Sequence, residues 1–127
     1  MSSGSRGVQE VSAAEAASMI EKDPSLVVLD VRTKQEFDSP GGHLKGAILI
    51  PVQELQARTA ELDRYKDRTI IAVCRSGNRS GVATGYLNSV GFKVLNLTGG
   101  MIEWRAMGLP VVREAEKEGG RGQTSGG

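Results

Sequence analysis

The sequence predicts an α/β fold built on an open, mainly parallel sheet with helices on its faces, and three features carry that prediction. Its apolar runs are short, rich in β-branched residues and without strict alternation, which suits strands covered on both faces. Helix-forming segments fall between those runs, as the crossovers of a parallel sheet require. The length of 127 residues and the hydrophobic fraction of 39% allow one domain with one modest core.

The elements follow in order. "MSSGSRG", residues 1–7, is Gly- and Ser-rich with almost nothing large and apolar to dock it, so it is expected to be disordered or foreign to the native chain. "SAAEAASMIEKD" sets Ser12 three residues before Glu15, the capping-box spacing, ahead of good helix formers and with Pro24 just past the end. A helix is expected there. "LVVLDV", "GAILIP" and "TIIAVC" read as strands buried on both faces. "RSGVATGYLNSVG" places Val82, Ala83, Tyr86, Leu87 and Val90 at helical spacing and reaches a stop at Gly91. "FKVLNL" is a further strand, and "GGMIEWRAMGLP" a short helix stopped by Gly108 and Pro110. The folded domain is expected over residues 8–112, with residues 113–127 a disordered Gly-rich tail. No internal repeat is visible.

Charge and cysteine content narrow the function. Sixteen Lys and Arg stand against fifteen Asp and Glu, a formal net charge of +1, so there is no broad basic field for nucleic acid and any electrostatic role is local. No apolar run is long enough to span a bilayer, and the polar start lacks the apolar segment of a secretory signal. With a single cysteine no internal disulfide can form, and Cys74 is either an inert core residue or a reactive thiol in a reducing compartment. A cytoplasmic protein without membrane or nucleic-acid partners is expected. No His and Cys cluster suits a metal and no Gly-rich fingerprint suits a nucleotide, so no cofactor is expected.

The chemistry concentrates in "AVCRSGNRSG". Cys74 ends an apolar strand, and in an open α/β sheet the crevice beyond the carboxyl ends of the strands is the functional place. Behind it Gly77 permits backbone angles that let several N–H groups converge, and the next helix adds its N-terminus. The stretch is expected to form an anion cradle with a sulfur at its base. Beside that helix end and the guanidinium groups of Arg75 and Arg79, the thiolate is favoured over the thiol.

The spacing of Cys74, four residues and then Arg79, followed by Ser80, resembles the active-site loop of the rhodanese family of single-domain sulfurtransferases. Three more segments agree in order: "VVLDVRTKQEF" resembles the family's early strand with its Asp and Arg, "GGHLKGAILIP" its Gly-His and Gly-Ala signature, and "LTGGMIEWRAMGLP" its closing motif. The resemblance runs from about Val11 to Val112. It implies a rhodanese-like sheet with helices on both faces and a persulfide mechanism, in which Cys74 takes a sulfane sulfur from thiosulfate or a similar donor and passes it to a thiol or cyanide, or to a protein acceptor.

Arg75, Ser76, Gly77, Asn78, Arg79 and Ser80 would then bind the donor, the two arginines through its sulfonate oxygens. Ser80 is expected to cap the helix or bond into the loop. The basic residue after the cysteine is similar to thiosulfate-type loops, whereas mercaptopyruvate-type enzymes carry Gly there. Related phosphatases and arsenate reductases have one residue more between cysteine and arginine, so the resemblance disfavours phosphorus chemistry. A persulfide carrier or a non-catalytic binding module on the same fold stays open as the alternative. His43, Asp30, Arg32 and Trp104 are read as structural, Asp30 and Arg32 because a charge beside a buried strand needs a partner.

Overall fold

The computed structural model describes residues 8–113, so the disorder expected of residues 1–7 and 114–127 lies outside the described residues. Arg113, assigned to the tail by its sequence, is described, and its Nε donates to the carbonyl of Pro40 at 2.7 Å.

Five parallel strands form one sheet: β1 (Glu10–Val11), β2 (Val27–Asp30), β3 (Ile48–Leu49), β4 (Thr69–Val73) and β5 (Lys93–Leu97), in the order β1-β5-β4-β2-β3. β4 lies at the centre, in register with β2 from Val27 opposite Ile70 to Asp30 opposite Val73. The α/β prediction holds. "GAILIP" departs from it in detail, because β3 is a two-residue edge strand and is only half buried.

Period-two alternation sorts the core into two layers. Val27, Leu29, Ile70, Ala72 and Cys74 face one side, against Leu55, Leu62, Ala83 and Leu87. Val28, Ile71 and Val73 face the other, against Ala13, Ala16, Met101 and Trp104. The first layer is covered by α4 (Asn78–Ser89) and by α3 (Leu55–Arg58) with its flanking 3-10 turns at Val52–Glu54 and Thr59–Tyr65. The second is covered by α1 (Ala13–Lys22) and α5 (Gly100–Ala106).

The start of α1 is the predicted capping box: Ser12 Oγ accepts from the Glu15 N–H at 3.1 Å and Glu15 returns the bond to the Ser12 N–H at 2.8 Å. A second box opens the short helix α2 (Lys34–Phe37), where Thr33 and Glu36 exchange the same pair of bonds. In α4 the buried face is Ser80, Ala83, Thr84 and Leu87, not the five residues the apolar spacing predicts. Val82 is 68% exposed, and Val90 lies at the helix end and is exposed. A polar stripe is buried in their place because it is bonded: Thr84 Oγ1 donates to the Ser80 carbonyl and Ser80 to Asn96.

Candidate functional site

Alternation along β4 decides where the sulfur goes. Cys74 follows Ile70 and Ala72 onto the face beneath α4, and α4 begins four residues later, directly over it. The chain makes that turn through Gly77, which caps α4 with φ 101° and no side-chain cap bond. A side chain would be strained there, and a Cβ would also come to 3.3 Å of the Gly99 nitrogen.

The result is a sulfur with donors aimed at it. The Gly77 N–H donates to Cys74 Sγ at 3.1 Å and the Ser80 hydroxyl lies 3.3 Å from it. Burial pushes the Cys74 thiol up. The Ser80 hydroxyl and the N–H groups of Ser80, Gly77 and Ser76 outweigh that and leave it more acidic than an ordinary cysteine. Hydrogen-bond donors of the loop and helix end are the larger causes, and of the two guanidinium groups expected from sequence to favour the thiolate, Arg79 adds a weaker mutual field with Cys74. Ser80 is fully buried and bonds into the cradle, with Asn96 as its second partner. Asn96 in turn donates to the Gly77 carbonyl at 3.1 Å, fixing the turn from β5.

The remaining loop residues divide. Ser76 and Asn78 form the exposed rim, and Arg75 is exposed on the side toward α5. Arg79 makes a two-pronged ion pair with Glu36, Nη1 to Oε1 and Nη2 to Oε2, each at 2.8 Å. That pair pulls the Glu36 carboxyl down to about 2; burial opposes it and the Thr33 N–H adds to it. Arg79 is itself held cationic first by Glu36, against some burial, and then by the weaker fields of Cys74 and Asp30. Glu36, missing from the sequence-based site, therefore ties α2 to the loop after Cys74. Its signal was the T-x-x-E pattern, which announces a capped helix and says nothing of a contact 43 positions away.

The floor of the loop is held by α5. Its Met101 and Ile102 N–H groups donate to the carbonyls of Cys74 and Arg75 at 2.9 and 3.1 Å. Gly100 makes that approach possible: it has φ 54°, and a Cβ would collide with both carbonyls. Among the described residues no group of three or more His, Cys, Asp or Glu could hold a metal ion, and no helix is long and apolar enough to cross a membrane.

Residues 12–107 match the rhodanese-like domain family. The chain belongs to that family. It is 34% identical over 106 residues to a sulfurtransferase of Allochromatium vinosum, covering 83% of this chain and 95% of the relative. The crystal structure of a rhodanese-related protein from Thermoplasma volcanium superposes with a TM-score of 0.75 at 31% identity, over 84% of this chain and 99% of that one. A thiosulfate sulfurtransferase from Pseudomonas aeruginosa gives a TM-score of 0.73 at 27% identity over 84% of this chain, which spans 20% of that larger protein.

Within the rhodanese fold Asp30, Arg32, His43 and Trp104 make the structural contacts expected of them. Arg32 donates from Nε and Nη2 to the buried Asp30 carboxylate and from Nη2 to the Gly42 carbonyl, so each buried charge has its partner. His43 stacks on Phe37 with ring centroids 3.6 Å apart, has Nδ1 3.0 Å from the Phe37 carbonyl, and pairs its backbone with Val112. Trp104 is buried in the α1 and α5 layer and donates to the Pro110 carbonyl.

Proposed function

We propose that this rhodanese-family protein is a thiosulfate sulfurtransferase working through a Cys74 persulfide. One observation carries the reading: the only cysteine is a buried sulfur, made acidic by a converging set of N–H and O–H donors at a helix start. The Cys74 thiolate attacks the outer sulfur of thiosulfate, a bond forms from Sγ to that sulfur, and the sulfur–sulfur bond of the donor breaks with its electron pair leaving on sulfite. The new terminal sulfur is anionic and lies in the cradle, where fixed donors stabilise it without reorganising. An acceptor thiolate or cyanide then takes that sulfur, and the electron pair of the breaking bond returns to Sγ.

The spacing of four residues between Cys74 and Arg79, which resembles that of the rhodanese loop and is one fewer than in the related phosphatases and arsenate reductases, supports sulfur over phosphorus chemistry. The similarity to the Pseudomonas protein supports thiosulfate as the donor. With Arg79 committed to Glu36, the more available cation for the sulfonate is Arg75, with Arg79 adding its field.

The test combines mass and turnover. After incubation with thiosulfate the Cys74 peptide gains the mass of one sulfur, removable by cyanide with release of thiocyanate. In Cys74→Ser that mass is absent and thiocyanate formation falls by about a thousandfold or more while the fold persists, because a serine neither ionises nor holds a persulfide. Efficient hydrolysis of an aryl phosphate with thiosulfate left untouched would overturn the reading.

A further inference from the structure

Beside the cradle a cleft of about 330 Å³ opens between α2 and α5, its walls including Arg32, Gln35, Glu36, Arg75, Ile102 and Arg105. Its charged groups are unequal. Arg32 is buried and spent on Asp30, and Glu36 is spent on Arg79. Arg75 and Arg105 are exposed, and neither is in an ion pair with any described carboxylate. The cleft therefore holds two uncommitted guanidinium groups and no uncommitted carboxylate. Gly41 makes room for one of them: a Cβ there would come to 3.0 Å of Arg105 Nη1. Ile102, nearly half exposed, adds an apolar surface to the cleft wall.

Arg75 belongs to both places, since it follows Cys74 in the chain and lines the cleft. A molecule seated on these arginines lies beside the backbone of the loop that Cys74 opens, where α5 bonds to the Cys74 and Arg75 carbonyls. Sulfite must leave the cradle before an acceptor can reach the persulfide, so one arginine can serve the donor first and the acceptor afterwards. We propose that this cleft is the subsite for the carboxylate end of a low-molecular-weight thiol acceptor, held by Arg75 and Arg105 with its thiol toward Cys74. The proposal rests on the sulfur-transfer reading above. In the step it serves, the acceptor thiolate attacks the outer sulfur of the Cys74 persulfide. The bond from that sulfur to Sγ breaks, its electron pair stays on Sγ, and the outer sulfur leaves on the acceptor with whatever proton it carried.

Arg105 is the discriminating position, because it lies outside the catalytic loop. With thiosulfate as donor, glutathione, which carries two carboxylates, and 2-mercaptoethanol, which carries none, serve as alternative acceptors. In Arg105→Ala the KM for glutathione rises about fivefold and that for 2-mercaptoethanol moves less than twofold; Arg105→Glu widens the gap. Calorimetry with S-methylglutathione, which cannot accept sulfur, gives a Kd that weakens by a similar factor in Arg105→Ala, whether or not turnover occurs. Equal effects on both thiols together with unchanged S-methylglutathione binding would overturn the subsite and leave sulfur transfer standing. Arg105-dependent binding in a protein that transfers no sulfur would support the subsite and overturn the enzyme.

Discussion

The starts of α4 and α5 are built alike and used differently. Each helix follows a strand and a left-handed glycine that caps it without a side chain, Gly77 at φ 101° and Gly99 at φ 77°. Each presents N–H groups that the helix itself cannot satisfy. At α5 those of Met101 and Ile102 go to the carbonyls of Cys74 and Arg75. At α4 the Gly77 N–H goes to the Cys74 sulfur. Unspent donors at a helix start become scaffold when backbone oxygens reach them and an acidifying cradle when a thiol does. Here the first arrangement holds the second in place.

The comparison breaks most severely if the α4 turn is widened. One Gly inserted after Gly77 moves the donors off the sulfur by about 1 Å and lowers thiosulfate turnover roughly 100-fold, measured as thiocyanate formation. Vanadate, a tetrahedral oxyanion, then inhibits the variant more than the parent. The α5 start is broken by Gly100→Ala, which puts a Cβ against the Cys74 and Arg75 carbonyls at a positive φ. That costs about 2 to 4 kcal/mol in denaturant unfolding and lowers turnover as well, since the loop floor moves. Stability lost with turnover unchanged would show the two helix starts to be independent.

Smaller changes sharpen it. Ser80→Ala removes the donor that contributes most to the acidity of Cys74. Because the thiolate is the reactive form and its pKa rises in the variant, the acid limb of the kcat/KM profile moves to higher pH. The loss is several-fold on that limb and vanishes well above it. Glu36→Gln has the smallest effect. With its pKa lowered to about 2 from 4.5, the Glu36 carboxylate contributes stability that is fully present above pH 4.5 and is lost as pH falls through about 2. For a partly exposed pair that is at most about 1 kcal/mol. The variant loses that pH dependence and, with Arg79 released, binds thiosulfate slightly more tightly.

The parts of the fold legible in the sequence are those governed by local pattern. β2 and β4 read correctly because nearly every residue in them is buried, and α1 because its cap and its neighbours agree. β1 has two residues and no periodicity to find. The α4 face was misread because hydrophobicity marks Val82 and Val90, whereas burial follows hydrogen bonding at Ser80 and Thr84. In the site, Cys74 and Gly77 were visible as a strand end followed by a turn. The Arg79–Glu36 pair was not, since a contact across 43 positions leaves no mark in the spacing of either residue. Arg105 was hidden in the same way, within a helix read for its stops.

The buried Ser80 hydroxyl has a single hydrogen and two neighbours that want it. Asn96 turns its amide nitrogen to Gly77 and Glu10, so toward Ser80 it presents only oxygen, and the Cys74 thiolate is an acceptor as well. While the sulfur keeps its own proton, that proton can point to the serine and the serine to Asn96. A hydroxyl that donates to the ionised sulfur cannot at the same time donate to Asn96. The Cys74 thiol thus shares its donor with a residue of β5, and Asn96 competes for the hydroxyl that does most to make Cys74 acidic.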